Sequence, residues 1–124
     1  MLEKARRITK KHEFKEVFVE GMFVRGGFIS LKITKRKDSS TNVNAMLRAG
    51  KDTRFGFIVG QKISKSAVVR NKIKRRLRAV VENLAETVSP GKDVVVMTVP
   101  EIVGKSSKEI KKEIEKVFKR AHLL

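Results

Sequence analysis

The chain has 124 residues, 40% of them hydrophobic, enough to form one apolar core and too many for a disordered tail. Its 30 Lys and Arg against 13 Asp and Glu leave a net charge of +17, which points to a polyanionic partner. With no cysteine, disulfide frameworks and thiolate metal sites are excluded, and no run reaches the roughly 18–20 apolar residues of a membrane span. The opening MLEKARRITKKHEF lacks the apolar run of a signal peptide, so the expected setting is the cytoplasm. Nucleic acid is then the expected partner, and a basic helix lying on anionic lipid is the rival.

In chain order, the first predicted element is a helix from Thr9, a residue able to cap it, to Gly21, a natural stop. Phe14, Val17 and Phe18 recur on one face of it at helical spacing. A strand stub around Phe23–Arg25 follows, then a bend at Gly26–Gly27. Next, Ile29, Leu31 and Ile33 alternate with Phe28, Ser30, Lys32 and Thr34, the pattern of a half-buried strand with one wet face. Arg36 to Thr53 is polar and reads as a long exposed loop. Arg54–Gly60 and Asp93–Val99 read as two further strands, the second more buried. Between them Val69, Ile73, Leu77, Val80, Leu84 and Val88 predict a long helix from about Ser66 to Val88, broken by Ser89-Pro90-Gly91. The last helix opens on the capping-box pattern Ser106-x-x-Glu109 and carries Ile110, Ile114, Val117, Phe118 and Ala121 on one stripe. The order predicts a single α+β domain over residues 1–124.

Charge is concentrated in KISKSAVVRNKIKRRLR. From Lys65 to Arg78 there are seven basic residues and no acid. With Ile73 at the centre of the buried face, steps of about 100° put Asn71, Arg75 and Arg78 nearly opposite. Lys72 and Lys74 then fall on the flanks, and Arg70 and Arg76 near the core boundary. A solvated face would mix signs for i, i+4 pairing, and here there is no acid to pair with. The cations also crowd the helix N-terminus, where each is disfavoured by roughly 0.3–1 kcal/mol. An anion bound there removes that conflict.

A search for catalytic groups finds none. His12 and His122 are isolated surface residues without metal-ligand spacing. No nucleophile-elbow, P-loop or HExxH motif is present. Gly56 and Gly60 read as strand punctuation. The pairs Glu13/Glu16 and Glu109/Glu113 read as solvated helix faces beside lysines. No metal site is expected in the protein.

The block RFGFIVGQKISKSAVVRNKIKRRLRAVV resembles the centre of the bacterial ribonuclease P protein family: a Gly-containing strand, a Lys-rich turn, and a helix opening Arg-Asn-Arg with further basic residues. ITKKHEFKEVFVEG resembles that family's first helix and PGKDVVVMTVP its last strand, so the resemblance spans nearly all the chain except the 36–53 loop. It implies an α-β sandwich, helix-strands-helix-strand-helix, of the kind shared with a ribosomal-protein domain. Its strand-helix-strand crossover would be left-handed, an exception that pattern alone would not show.

The resemblance also implies partners and roles. The catalytic RNA would be contacted by Arg70, Asn71, Lys72, Lys74, Arg75 and Arg78, with Lys62 and Lys65 in the preceding turn. The single-stranded 5′ leader of precursor tRNA would lie in a cleft with Phe14, Phe18, Phe28 and Lys32. Phosphodiester hydrolysis would belong to the RNA, with Mg²⁺ held by RNA and substrate. No membrane and no obligate protein partner is implied. Two departures stand out: Lys72 replaces the third motif residue and loses its bidentate fork, and the first strand lacks the aromatic found deeper in the family's cleft. A structural RNA-binding protein of ribosomal type is the alternative. A DNA reader fits less well, since a Lys/Arg strip suits phosphate and offers only Asn71 for base edges.

Overall fold

Each helix begins where a side chain can satisfy its first free amides. In the computed structural model, which describes residues 6–35 and 52–124, α1 spans Lys11–Glu20, α2 Ala67–Leu84 and α3 Ser107–Arg120. Ser66 Oγ accepts from the Val69 amide at 3.4 Å, and Ser106 Oγ accepts from Glu109 at 3.2 Å. Glu109 reaches back to the Ser106 amide at 3.3 Å, completing the expected capping box. Hydrogen bonds from Ser106 draw the Glu109 carboxyl below its usual pKa. At α1 the cap position is Lys10 rather than Thr9, and Glu13 accepts from the Lys10 amide at 3.3 Å. Helix α2 stops at Leu84, one turn earlier than expected, although Val88 is still buried.

Four strands, β1 (Met22–Val24), β2 (Ile29–Lys35), β3 (Arg54–Ile58) and β4 (Lys92–Thr98), form one sheet in the order β1-β2-β4-β3. The first two junctions are antiparallel, and β3 runs parallel to β4, so α2 is the crossover of a strand-helix-strand unit. Beyond β3 a single bridge from Arg7 to Phe55, with the Ile8 amide donating to the Phe55 carbonyl at 2.9 Å, covers the outer edge. A 3₁₀ turn at Pro100–Ile102, not foreseen in the sequence, leads into α3.

The period-2 alternation divides the sheet into two faces. Ile29, Leu31, Ile33, Phe55, Val94 and Val96 meet Ile73, Leu77, Val80 and Val81 of α2 and Ile110, Ile114, Val117 and Phe118 of α3, forming the main core. The rings of Phe55 and Phe118 stack at 6.0 Å. The other face carries Val95, which with Ile8 and Val17 makes a smaller cluster beneath α1. Helix α1 therefore lies alone on one side, and α2 and α3 on the other.

Two expectations are corrected here. Residues 36–51 of the expected loop lie outside the described residues, but its last residue, Thr53, is 1% exposed and bonded to the Ser89 carbonyl. Glu13 is not on a solvated face: it is drawn inward to Arg54 at the start of β3.

Candidate RNA interface

The strip on α2 divides in two once the helix is seated. Asn71, Lys72 and Arg75 are exposed, as are Lys62 and Lys65 in the turn before it. Lys74 and Arg78, four residues apart, turn instead toward the β3 edge and are partly covered. Arg70 is also partly covered and donates to the Ser64 carbonyl at 2.8 Å, shaping the Lys-rich turn. Arg76 donates to the Lys105 carbonyl at 2.9 Å and ties α2 to the approach to α3. No acid lies in the first turn of α2, whereas α3 has Glu109 in its first turn and Lys119 and Arg120 in its last. One chain thus charges one helix with its dipole and the other against it.

Lys74 and Arg78 line a cavity of about 220 Å³, together with Arg7, Thr9, Phe14, Gly56 and Phe57. Arg7 was missed in the sequence, where it stood only as one of several N-terminal cations. Its Nε is buried and makes no hydrogen bond among the described residues. Three cations therefore surround a space that has an aromatic ring in its wall.

That ring, Phe14, and Phe18 one turn on, are both partly buried, while Val17 between them is fully buried. The dry contact of α1 is thus made by Val17, and the two rings flank it. Lys32 lies beside Phe18, its ammonium 5.7 Å from the ring centroid and donating to the Phe18 carbonyl at 2.6 Å. It holds the last turn of α1, where a cation is favoured. Phe28 does not join them. It packs against the main core on the opposite face, with the Lys105 ammonium 5.4 Å from its ring. The bend at Gly26–Gly27 precedes it, so strand alternation did not forecast where the ring would turn.

The position of α1 is set by a buried ion triad. Arg54 donates to both Asp93 oxygens, at 2.9 and 2.8 Å, and to Glu13 at 2.6 Å. Burial opposes charge on Glu13, but the hydrogen bond and charge of Arg54 outweigh it and hold the carboxyl below its usual pKa. Burial likewise opposes charge on Arg54, and Asp93 and Glu13 overcome it, raising its pKa. His12 and His122 are exposed, and among the described residues no group of three or more His, Asp or Glu could hold a metal ion.

A cationic helix and an aromatic cleft thus share one four-stranded sheet, an α+β domain whose surface suits a nucleic acid. Among the described residues no helix is long and apolar enough to cross a membrane. The family model for ribonuclease P matches residues 2–122, and the chain belongs to that family. It is 30% identical to the ribonuclease P protein component of a Cyanothece strain, covering 100% of this chain and 98% of that one. With the corresponding protein of Syntrophomonas wolfei it shares 36%, over 99% and 92% of the two chains. The solved Staphylococcus aureus RNase P protein is similar in fold, with a TM-score of 0.79 at 25% identity, over 97% of this chain and 98% of that one. These likenesses favour the ribonuclease P reading over the ribosomal-type alternative.

Proposed function

We propose that this ribonuclease P protein binds the catalytic RNA through α2 and the 5′ leader of precursor tRNA through the α1 cleft, promoting 5′ maturation in the cytoplasm. Exposed Asn71, Lys72 and Arg75, with Lys62 and Lys65, meet RNA phosphates. Arg70 keeps the turn in shape while adding its own charge. Lys74 and Arg78, joined by Arg7, guide the leader backbone past Phe14 and Phe18, on which bases stack. The protein's residues bind and orient. The hydrolysis is the RNA's, with Mg²⁺ held by RNA and substrate.

The observation that carries this reading is the cavity that joins Lys74 and Arg78 to Phe14. It makes the helix strip and the cleft one continuous surface, as an RNA with an attached single strand requires. The test compares holoenzyme affinity for precursor tRNA with and without its leader, for wild type and a Phe14→Leu/Phe18→Leu variant. The variant should lose roughly 1–3 kcal/mol per stacked base, and only for leader-bearing substrate. A large loss of stability with no leader-specific change would show both rings to be core. Purified protein with Mg²⁺ and no RNA should leave precursor tRNA uncut.

A further inference from the structure

The strand register places one residue from each strand in a single row on the α1 face. Arg54 to Ile58 pair with Asp93 to Met97, so Gly56 stands beside Val95. Val95 stands beside Lys32, and Lys32 beside Phe23. The row is therefore Gly56–Val95–Lys32–Phe23, crossing all four strands at about 4.8 Å per step. Helix α1 runs over its first three members. A Cβ on Gly56 would be 2.5 Å from the Phe14 ring, Val17 clusters with Val95, and Phe18 adjoins Lys32. The fourth position is uncovered, and Phe23 is 53% exposed.

Phe23 presents an aromatic ring half in solvent on an edge strand. Directly opposite residues in an antiparallel pair have Cβ atoms about 5 Å apart. Phe23 thus neighbours Lys32, whose ammonium already touches the Phe18 ring. Phe23 also lines a shallow groove of about 410 Å³ at this edge, shared with Met22, Val24 and Arg25 and, from the α3 side of the sheet, Arg120, Ala121 and His122. Its charged residues are cations, with no acid in the lining. A second copy of a chain carrying +17 would meet like charge there. A single-stranded polyanion with bases to stack meets both an aromatic face and cations.

We infer that Phe23 is the third aromatic of the leader platform, supplied from β1 where β2 carries Lys32. The inference rests on the leader-cleft reading proposed above and extends it by one base. Because α2 binds the catalytic RNA, a leader emerging from that RNA reaches Phe14 first, Phe18 next and Phe23 last. Lys32 sits between the last two rings and neutralises the phosphate that links their bases.

The experiment reconstitutes holoenzyme with bacterial ribonuclease P RNA and precursor tRNAs whose leaders lengthen one nucleotide at a time. Affinity should rise in steps. A Phe23→Ala variant should lack only the last step, a loss of about 5- to 150-fold, the size of one stacked base. A Phe23→Tyr variant should restore it. Thermal unfolding of Phe23→Ala should match wild type. If Phe23→Ala matches wild type at every length while Phe14→Leu/Phe18→Leu loses its steps, the cleft stands and this inference falls. If neither variant loses a step, the leader-cleft reading falls with it. Loss at every length, leaderless tRNA included, would assign Phe23 to RNA docking or folding instead. Dimer dissociation on Phe23→Ala in sedimentation, with no leader effect, would make the β1 edge a self-association surface and overturn the inference.

Discussion

Gly56 shows how one position can carry a function that its letter conceals. In the sequence it looks like punctuation, yet it lies in the middle of β3 with the Phe14 ring over its Cα. An added Cβ would come within 2.5 and 2.7 Å of two Phe14 ring atoms and 3.3 Å of Ile8, so something must move. Gly60 is the contrast, since a Cβ there meets nothing within 4 Å. Gly56→Ala should therefore cost about 1–3 kcal/mol through overpacking. Gly60→Ala should be neutral or stabilise by up to about 1 kcal/mol, by stiffening the unfolded chain. Urea unfolding of the two variants gives the comparison. Equal, small effects would mean that Phe14 is not seated on β3. A glycine required by a distant ring leaves no local trace, which is why the sequence did not show it.

Helix α2 bears the clearest sequence signal and also shows its limit. Its apolar stripe was legible because Ile73, Leu77 and Val80 fall at helical spacing and are buried, although buried Val81 was not read, and the stripe of α3 was legible with its capping box. The basic strip was legible too, but not its division. Periodicity placed Arg78 nearly opposite the core, whereas it lines the cavity at the β3 edge with Lys74, four residues before it. Which side of the strip meets the sheet edge depends on how α2 packs against α3 and β3, which no helical pattern encodes. Phe28 was misplaced for a similar reason, since a bend resets the alternation. Of the short elements, the three-residue β1 was legible to within one residue, whereas the 3₁₀ turn was not. For the strip itself, Arg70→Ala, Lys72→Ala and Arg75→Ala combined should flatten the log K versus log salt slope for the catalytic RNA. The slope should fall by roughly 0.7–0.9 for each phosphate that is no longer neutralised. Exposed Arg75 alone should change stability by no more than about 0.5 kcal/mol. An unchanged slope in the triple variant would make the strip a solvated face.

At the scale of the whole molecule, α1 is alone on its side of the sheet, held by a small apolar cluster and by the Glu13–Arg54–Asp93 triad. Breaking the triad loosens the helix that carries Phe14 and Phe18, so it couples stability to the leader cleft proposed above. The three charges stand far apart in the sequence and meet only because β3 and β4 are parallel neighbours, so pattern reading could not assemble them. A pH dependence follows. The folded pKa of Glu13 lies below its ordinary value of 4.5, so the unfolded chain takes up the proton more readily. The stability contributed by Glu13 is therefore complete above about pH 4.5 and is lost as pH falls through the depressed folded value. The raised pKa of Arg54 adds no change in this range, because the guanidinium is charged throughout. Glu13→Gln should cost about 1.5–3 kcal/mol at neutral pH, the usual worth of a hydrogen bond to a charged group. It should cost progressively less in acid, where wild type has lost the same charge. Urea titrations of both proteins from neutral pH down to about pH 3 should show the two stability curves converging as pH falls. Curves that remain parallel would show that the Glu13–Arg54 pair does not fasten α1 to the sheet.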